Sequence, residues 1–214
     1  MGPKERRERE REELGRVILD AARELFVAEG YQNVSMRKIA EKIEYSPTTI
    51  YLYFKDKADL LNQICEEAFS EQVRELEEIR ATATDPIDLL RRGLRAYVDF
   101  GLSHRSSYIL TFLTPYDPSV MPADFDFEHS QGAKAFGFLR EIVSVCVTAG
   151  LFRPVDVETA SQALWASAHG VTALLITDKL FPFVGHDALV DAVIDTSIRG
   201  LLADTNPPPS RQDA

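Results

Sequence analysis

Along most of its length the chain repeats one pattern, apolar residues three and four apart, cut into segments by glycine, proline and short capping residues. Leu14, Val17, Ile18, Ala21, Ala22, Leu25 and Phe26 show it first, and only a period of 3.6 residues brings them onto one face. No segment shows the strict alternation of a half-buried strand. The pattern therefore predicts an all-α fold of about nine helices.

The punctuation sets the boundaries. Gly30 suits the end of the first helix, Ser35 the cap of a short second one carrying Met36, Ile39, Ala40 and Ile43, and Glu44-Tyr45 the break after it. Ser46 and Pro47 then open a third helix reaching only to about Tyr53, proline being harmless in a first turn whose N–H groups have no helical partner. Asp56 caps a longer fourth helix to about Arg80, and Asp85-Pro86 opens the fifth. A short helix over Ser106 to Leu113, a loop at Pro115, Pro118 and Pro122, and long helices from about Phe125 to Ala149, Asp156 to Leu180 and Asp187 to Ala203 follow. The proline-rich, polar end, residues 206–214, is expected to be disordered.

Composition limits the function classes. The 214 residues are 45% hydrophobic, enough for a small module joined to a larger one, with no uninterrupted apolar run of membrane-spanning length and no apolar leader. A cytoplasmic protein is expected. Cys65 and Cys146 lie far apart within apolar helical patterns, which points to core positions rather than a disulfide or zinc site. The four histidines lack metal-ligand spacing, and no Ser-His-Asp set, carboxylate pair or phosphate-cradling glycine loop appears. Neither an enzyme nor a cofactor is expected. The net charge of −10 opposes nucleic-acid binding at first sight, yet residues 1–60 hold equal numbers of basic and acidic side chains, so the whole excess lies beyond them.

Two short helices joined by a tight turn, the second only two turns long, have helix-turn-helix proportions. Thr48, Thr49, Tyr51, Leu52 and Tyr53 supply hydroxyls, methyls and aromatic rings suited to phosphates and thymine methyls, while Phe54 is the best core residue among them. The segments Ala21-Ala22-Arg-Glu-Leu-Phe, Gly30-Tyr31, Ser35-Met-Arg-Lys-Ile-Ala40 and Ser46-Pro-Thr-Thr-Ile-Tyr-Leu-Tyr-Phe-Lys-Asp-Lys57 resemble the TetR family of repressors, from residue 14 to about 65. The resemblance implies base contacts from Arg37, Thr48, Thr49 and Leu52, and phosphate contacts from Ser35, Tyr51, Tyr53 and Lys57. It also implies a division into a DNA-binding domain over residues 1–60 and a ligand-binding and dimerisation domain over residues 61–205. Glu44 departs from the family pattern, standing where glycine is usual and φ is expected to be positive. The five basic residues between Lys4 and Arg11 allow two readings, a phosphate-binding arm or a solvated helix extension with paired charges, and the second is favoured.

In the larger domain, Ala160, Ser161, Ala163, Ala166, Ser167, Ala168, Gly170 and Ala173 permit close helix approach, so the last two helices are expected to form a two-fold four-helix interface. Leu164-Trp165-Ala-Ser-Ala-His169-Gly170 resembles the Trp-His-Gly signature of one TetR subgroup. Tyr97, Phe100, Tyr108, Phe112 and Phe136, with Trp165, His104 and His169, are the candidate lining of a ligand cavity, a reading carried by the resemblance. Trp165 fits the cavity and the dimer seam equally. The implied function is a homodimeric repressor released from an inverted-repeat operator in double-stranded DNA by a small hydrophobic or aromatic ligand. A helical interaction protein without DNA binding is the alternative.

Overall fold

A computed structural model of the chain describes residues 2–114 and 126–203. Among the described residues it is helical throughout, the one β-type pairing being an isolated bridge between Phe152 and Leu202. The loop expected at Pro115, Pro118 and Pro122 and the tail of residues 206–214 lie outside the described residues. Among those described, nine α-helices run in chain order: α1 Pro3–Glu29, α2 Met36–Lys42, α3 Pro47–Tyr51, α4 Lys57–Thr82, α5 Pro86–Ser103, α6 Arg105–Tyr108, α7 Gln131–Thr148, α8 Val157–Thr177 and α9 His186–Arg199.

Local chemistry explains most of the boundaries. Gly30, at φ 83°, ends α1, its N–H donating to the Phe26 carbonyl. The Ser35, Ser46 and Asp156 side chains accept hydrogen bonds from the backbone N–H groups of Lys38, Thr49 and Thr159, capping α2, α3 and α8. Asp56 does the same for Asp59 at the start of α4, at 2.9 Å. α1 begins at Pro3, so residues 4–11 continue the helix as the favoured reading expects. Three boundaries differ from expectation: α7 begins at Gln131 rather than near Phe125; α8 stops at Thr177 because the Asp178 carboxylate turns back to accept from the N–H groups of Leu180 and Phe181; and α9 ends at Arg199 rather than near Ala203. After α6, Ile109–Leu113 winds as a π-helix, with the Thr114 N–H donating to the Ile109 carbonyl at 2.8 Å.

The chain divides into two compact units, Met1–Glu71 with Ser103–Ala133, and Gln72–Leu102 with Lys134–Ala214. In the first, Ile18, Ala22, Phe26, Ile39, Ile50 and Phe54 close a core with Leu60 and Ile64 from α4 and Leu110. Phe54 is 8% exposed, so it belongs to this core. In the second, Leu90, Leu94 and Val98 of α5 pack with Val143 and Cys146 of α7, Leu164 and Val171 of α8, and Val190, Ile194 and Ile198 of α9. The backbone of residues 151–153 ties to that of residues 201–203 through Arg153 N–H to Leu201 O and Ala203 N–H to Leu151 O, both 2.9 Å.

Candidate functional site

The α2-turn-α3 segment is built so that one side of α3 holds the core and the other is left open. Ile50 is fully buried, whereas Tyr51 and Leu52 are 55% and 70% exposed. Thr48 is exposed, and Thr49, half-buried, has its hydroxyl 2.9 Å from that of Ser46. An aliphatic side chain as open as Leu52, beside a short helix started by serine and proline, gains nothing from its own core. The turn between the helices is closed by the Tyr45 N–H donating to the Ala40 carbonyl at 3.0 Å, and Glu44 within it has φ 61°. The positive φ expected at this position is present.

The other candidate DNA-contacting residues fall around this segment. Ser35 is spent on capping α2, with its side chain still at the surface. Arg37 is 80% exposed and paired with Glu41 at 2.9 Å. Tyr53 is half-buried against the core, and the Arg11 guanidinium lies 5.8 Å from the centre of its ring. Lys57 does more than expected: its ammonium donates to the Tyr31 carbonyl at 2.7 Å and sits 4.2 Å from the Tyr31 ring centre. Burial lowers its pKa from the usual lysine value. Lys57 thus pins the Gly30-Tyr31 corner to the start of α4, and a phosphate contact would share an ammonium already in use.

The candidate cavity residues separate into two groups. In the second unit the Tyr97 hydroxyl and His169 Nδ1 are 3.0 Å apart, Trp165 stacks obliquely on His169 at 5.6 Å, and Phe136 meets Trp165 edge-on at 6.3 Å. Burial holds the His169 pKa below the usual imidazole value, which keeps the ring neutral and able to accept or donate at Nδ1. Trp165 is 38% exposed, so it touches this aromatic row and also reaches the surface. Phe100 is buried in the same unit. In the first unit Tyr108 is almost fully buried, its ring 4.9 Å from that of Phe112, which in turn meets Phe69 edge-on at 5.6 Å. His104 lies at the surface, 3.8 Å from Glu71.

Two residues escape sequence reasoning. Phe69, half-buried on α4, fits against Gly132 so closely that a Cβ there would lie 3.1 Å from its ring. Gln72, one turn further on, is 6% exposed, yet its side-chain nitrogen has no hydrogen-bond partner among the described residues. In sequence Gln72 is one polar residue inside an amphipathic helix and carries no signal. A cleft of about 520 Å³ does exist in the second unit, but charged side chains line it, among them Arg91, Arg95, Asp99, Asp191 and Asp195. Arg95 bridges Asp99 on its own helix to Asp187 and Asp191 of α9, and Arg91 pairs with Asp195. This is an ion-pair clasp between α5 and α9, with Asp187 and Asp191 largely in solvent and Asp99 and Asp195 half-buried.

Comparisons with known proteins agree with the fold. Residues 18–64 match the family model described as bacterial regulatory proteins, tetR family, and residues 90–197 match the tetracyclin repressor-like C-terminal domain. Among curated proteins, the fatty acid metabolism regulator protein of Bacillus subtilis (strain 168) is 36% identical over 76 residues, 34% of this chain and 39% of that protein. The HTH-type transcriptional activator FasR of Mycolicibacterium smegmatis is 30% identical over 105 residues, 48% of each chain. The chain thus spans less than half the length of these two relatives. Among solved structures, a protein of unknown function from Rhodococcus sp. RHA1 superposes with a TM-score of 0.73 at 25% identity, covering 89% of this chain and 96% of that one. The fatty acid degradation regulator FadR from Bacillus halodurans gives 0.70 at 22% identity, over 92% and 96%, a likeness of fold alone. With one family model on its helix-turn-helix and another over half its length, the chain belongs to the TetR family of bacterial transcriptional regulators.

Proposed function

We propose that the chain is a homodimeric, cytoplasmic, ligand-responsive repressor that binds an inverted-repeat operator and is released from it by a small hydrophobic molecule. The observation that carries this reading is the open side of α3, where Thr48, Tyr51 and Leu52 stand outward from a helix anchored by Ile50, with Thr49 half-buried beside them. Hydroxyls there suit phosphates and base edges, and the Leu52 and threonine methyls suit thymine. Arg37 on α2 extends the same polar surface, and Ser35, Tyr53 and Lys57 complete the proposed contacts.

Two copies are needed to read an inverted repeat, with the recognition helices about 34 Å apart. Support for a seam comes from α8 and α9, which pack on each other and leave Ala163, Ala166, Ala188 and Ala192 exposed. Gly170, on the same stretch of α8, has nothing within 4 Å of the position a Cβ would take. Helices lined this way approach closely across a two-fold axis. The proposed effector lies against the aromatic side chains, with Tyr97 and His169 as its polar partners. Two relatives named for fatty acid regulation make an acyl chain the first effector to test. α4 is unbroken from Lys57 to Thr82 and connects the Asp56 cap to the Phe69 and Gln72 turns, so it is the element through which effector binding reaches the DNA-reading helices. A coupling of about 3 kcal/mol is enough to weaken operator binding more than 100-fold.

The test is selection of bound fragments from random DNA by the purified protein, followed by binding of the recovered sequence to Tyr51→Ala and Leu52→Ala. An inverted repeat that the variants bind at least tenfold more weakly supports the reading. A folded dimer that enriches no sequence, even after refolding free of co-purified ligand, sinks it. The relative named as an activator gives the second reading, the same machinery with the opposite sign; a promoter fusion measured with and without the protein separates the two.

A further inference from the structure

The apolar stripe that buries α1 does not end where the helix leaves the domain; it changes chemistry. Leu14 and Gly15 are the first half-buried residues of α1, and residues 4–13 are all exposed. Three and four residues back from Leu14, along the face that buries Ile18 and Ala22, stand Arg11, Arg7 and Lys4 in turn. At 100° per residue these three fall within about 60° of one another and on the side of buried Ile18, spread over about 10 Å of helix. The orientation is fixed by contact: Arg11 lies over the Tyr53 ring, and the Cβ position of Gly15 is 3.8 Å from the same ring. Tyr53 immediately follows the exposed Tyr51 and Leu52 of the proposed DNA-reading segment.

The acidic residues are arranged to leave this stripe positive. Arg6 is paired with Glu10 at 2.7 Å, the two lying about 130° and 90° round the helix from the stripe's centre, and Glu5 accepts from the Gly2 N–H at 2.8 Å. Glu8 borders the stripe. Neither Lys4 nor Arg7 forms an ion pair among the described residues. Three of the five cations of residues 4–11 thus share the face that would otherwise be inward, while Arg6 and Arg9 lie elsewhere on the helix.

We propose that Lys4, Arg7 and Arg11 form a second phosphate-binding edge, by which the projecting turns of α1 grip the backbone of the same duplex that α3 reads. This rests on the DNA-binding reading above. It differs from the solvated-extension reading favoured from sequence, which rests on i, i+4 pairing of the charges. The occupant is a polyanion continuous with the α3 surface, because the stripe begins at Tyr53 and carries no apolar residue. Such an edge adds affinity independent of base sequence and leaves the operator preference unchanged.

The test uses the full-length protein on mixed-sequence duplex DNA, with binding measured from roughly 50 to 200 mM salt. Each phosphate contact contributes about 0.9 to the slope of log K against log salt. Arg7→Ala/Arg11→Ala should lower that slope by about 1.8, making the fall in affinity across the range about 12-fold smaller. Lys4→Ala/Arg7→Ala, which leaves Arg11 on Tyr53, should do the same, while Arg6→Ala should leave the slope as it is. Wild-type protein that binds DNA with the same slope as both double variants overturns the stripe and spares the DNA-binding reading. An Arg6→Ala change as large as a stripe substitution also overturns it, since net charge would then be responsible. Wild-type protein that fails to bind duplex DNA at the lowest salt overturns both.

Discussion

Glu44 offers the cleanest perturbation of the DNA-reading half. It is the single non-glycine residue among those described with positive φ, at 61°, and it stands in the turn between α2 and α3. Its carboxylate makes no ion pair or hydrogen bond among the described residues, so replacing it changes backbone energy and formal charge and little else. Holding an L-residue in the left-handed region costs roughly 1–2 kcal/mol. Glycine removes that cost but gives back roughly 0.5–1 kcal/mol through the freedom it adds to the unfolded chain. Glu44→Gly should therefore stabilise the fold by about 1 kcal/mol, which for a chain of this size raises Tm by about 2–4 °C. Glu44→Gln keeps the strain and removes the charge, and so should leave Tm within about a degree of wild type. Both variants remove a negative charge beside the proposed DNA surface and should tighten binding equally, by no more than about fivefold, the limit set by one close charge in water. Thermal unfolding followed by circular dichroism and DNA titration of the three proteins provide the data. A Glu44→Gln variant as stable as Glu44→Gly, or a Glu44→Gly variant less stable than wild type, would refute the assignment of strain to this residue.

Gln72→Leu should raise stability in the absence of effector by about 1–3 kcal/mol, because it removes a buried donor with no partner; chemical denaturation that finds it destabilised would mean that the amide is satisfied. His169, with its pKa lowered by burial, binds fewer protons folded than unfolded just below the ordinary imidazole value of about 6.5. Its contribution is therefore complete above that pH and is lost as the pH falls toward the folded value, and His169→Gln should flatten the stability profile in that window. Cys146 is fully buried with its pKa pushed up to about 11, so a thiolate-selective reagent at pH 8 should label it only at the rate of unfolding; fast native-state labelling would contradict the packing between α5, α7 and α8.

The parts of the fold governed by near neighbours along the chain are legible in the sequence. Serine and aspartate caps, the Ser46-Pro47 start of α3 and the Gly30 stop depend on one or two residues, and each appears where expected, whereas the positive φ at Glu44 is implied only by the family resemblance. The start of α7 is misleading in sequence because Phe127 looks like a helix residue yet is 59% exposed in a 3₁₀ turn. Ser130 and Glu66 cap α7 instead, and Glu66 is 65 residues from the Gln131 N–H it accepts from, beyond any local rule. The extension of α1 is legible from its charge pattern, whereas the contact that turns Arg11 toward Tyr53 is not, because a stripe of cations carries no hydrophobic signal. The same distance effect conceals Lys57 on Tyr31, Tyr97 on His169 and the isolation of the Gln72 amide, since pairing across 26 or 72 residues depends on packing that no periodicity reports.

The π-helical turn at Ile109–Leu113 holds one residue more than α-helical winding needs, and this bears on how the chain can change over evolutionary time. Deleting a single residue there would let the segment rewind as α-helix without breaking it, whereas a deletion in α5 or α8 would shift every later side chain of those helices by about 100°. Length variation between descendants of this chain should therefore concentrate at that turn. Phe112, packed between Tyr108 and Phe69, is the side chain such a deletion would exchange for its neighbour. The shape of the aromatic cluster can thus be altered by a length change of one codon while the helices on either side keep their registers.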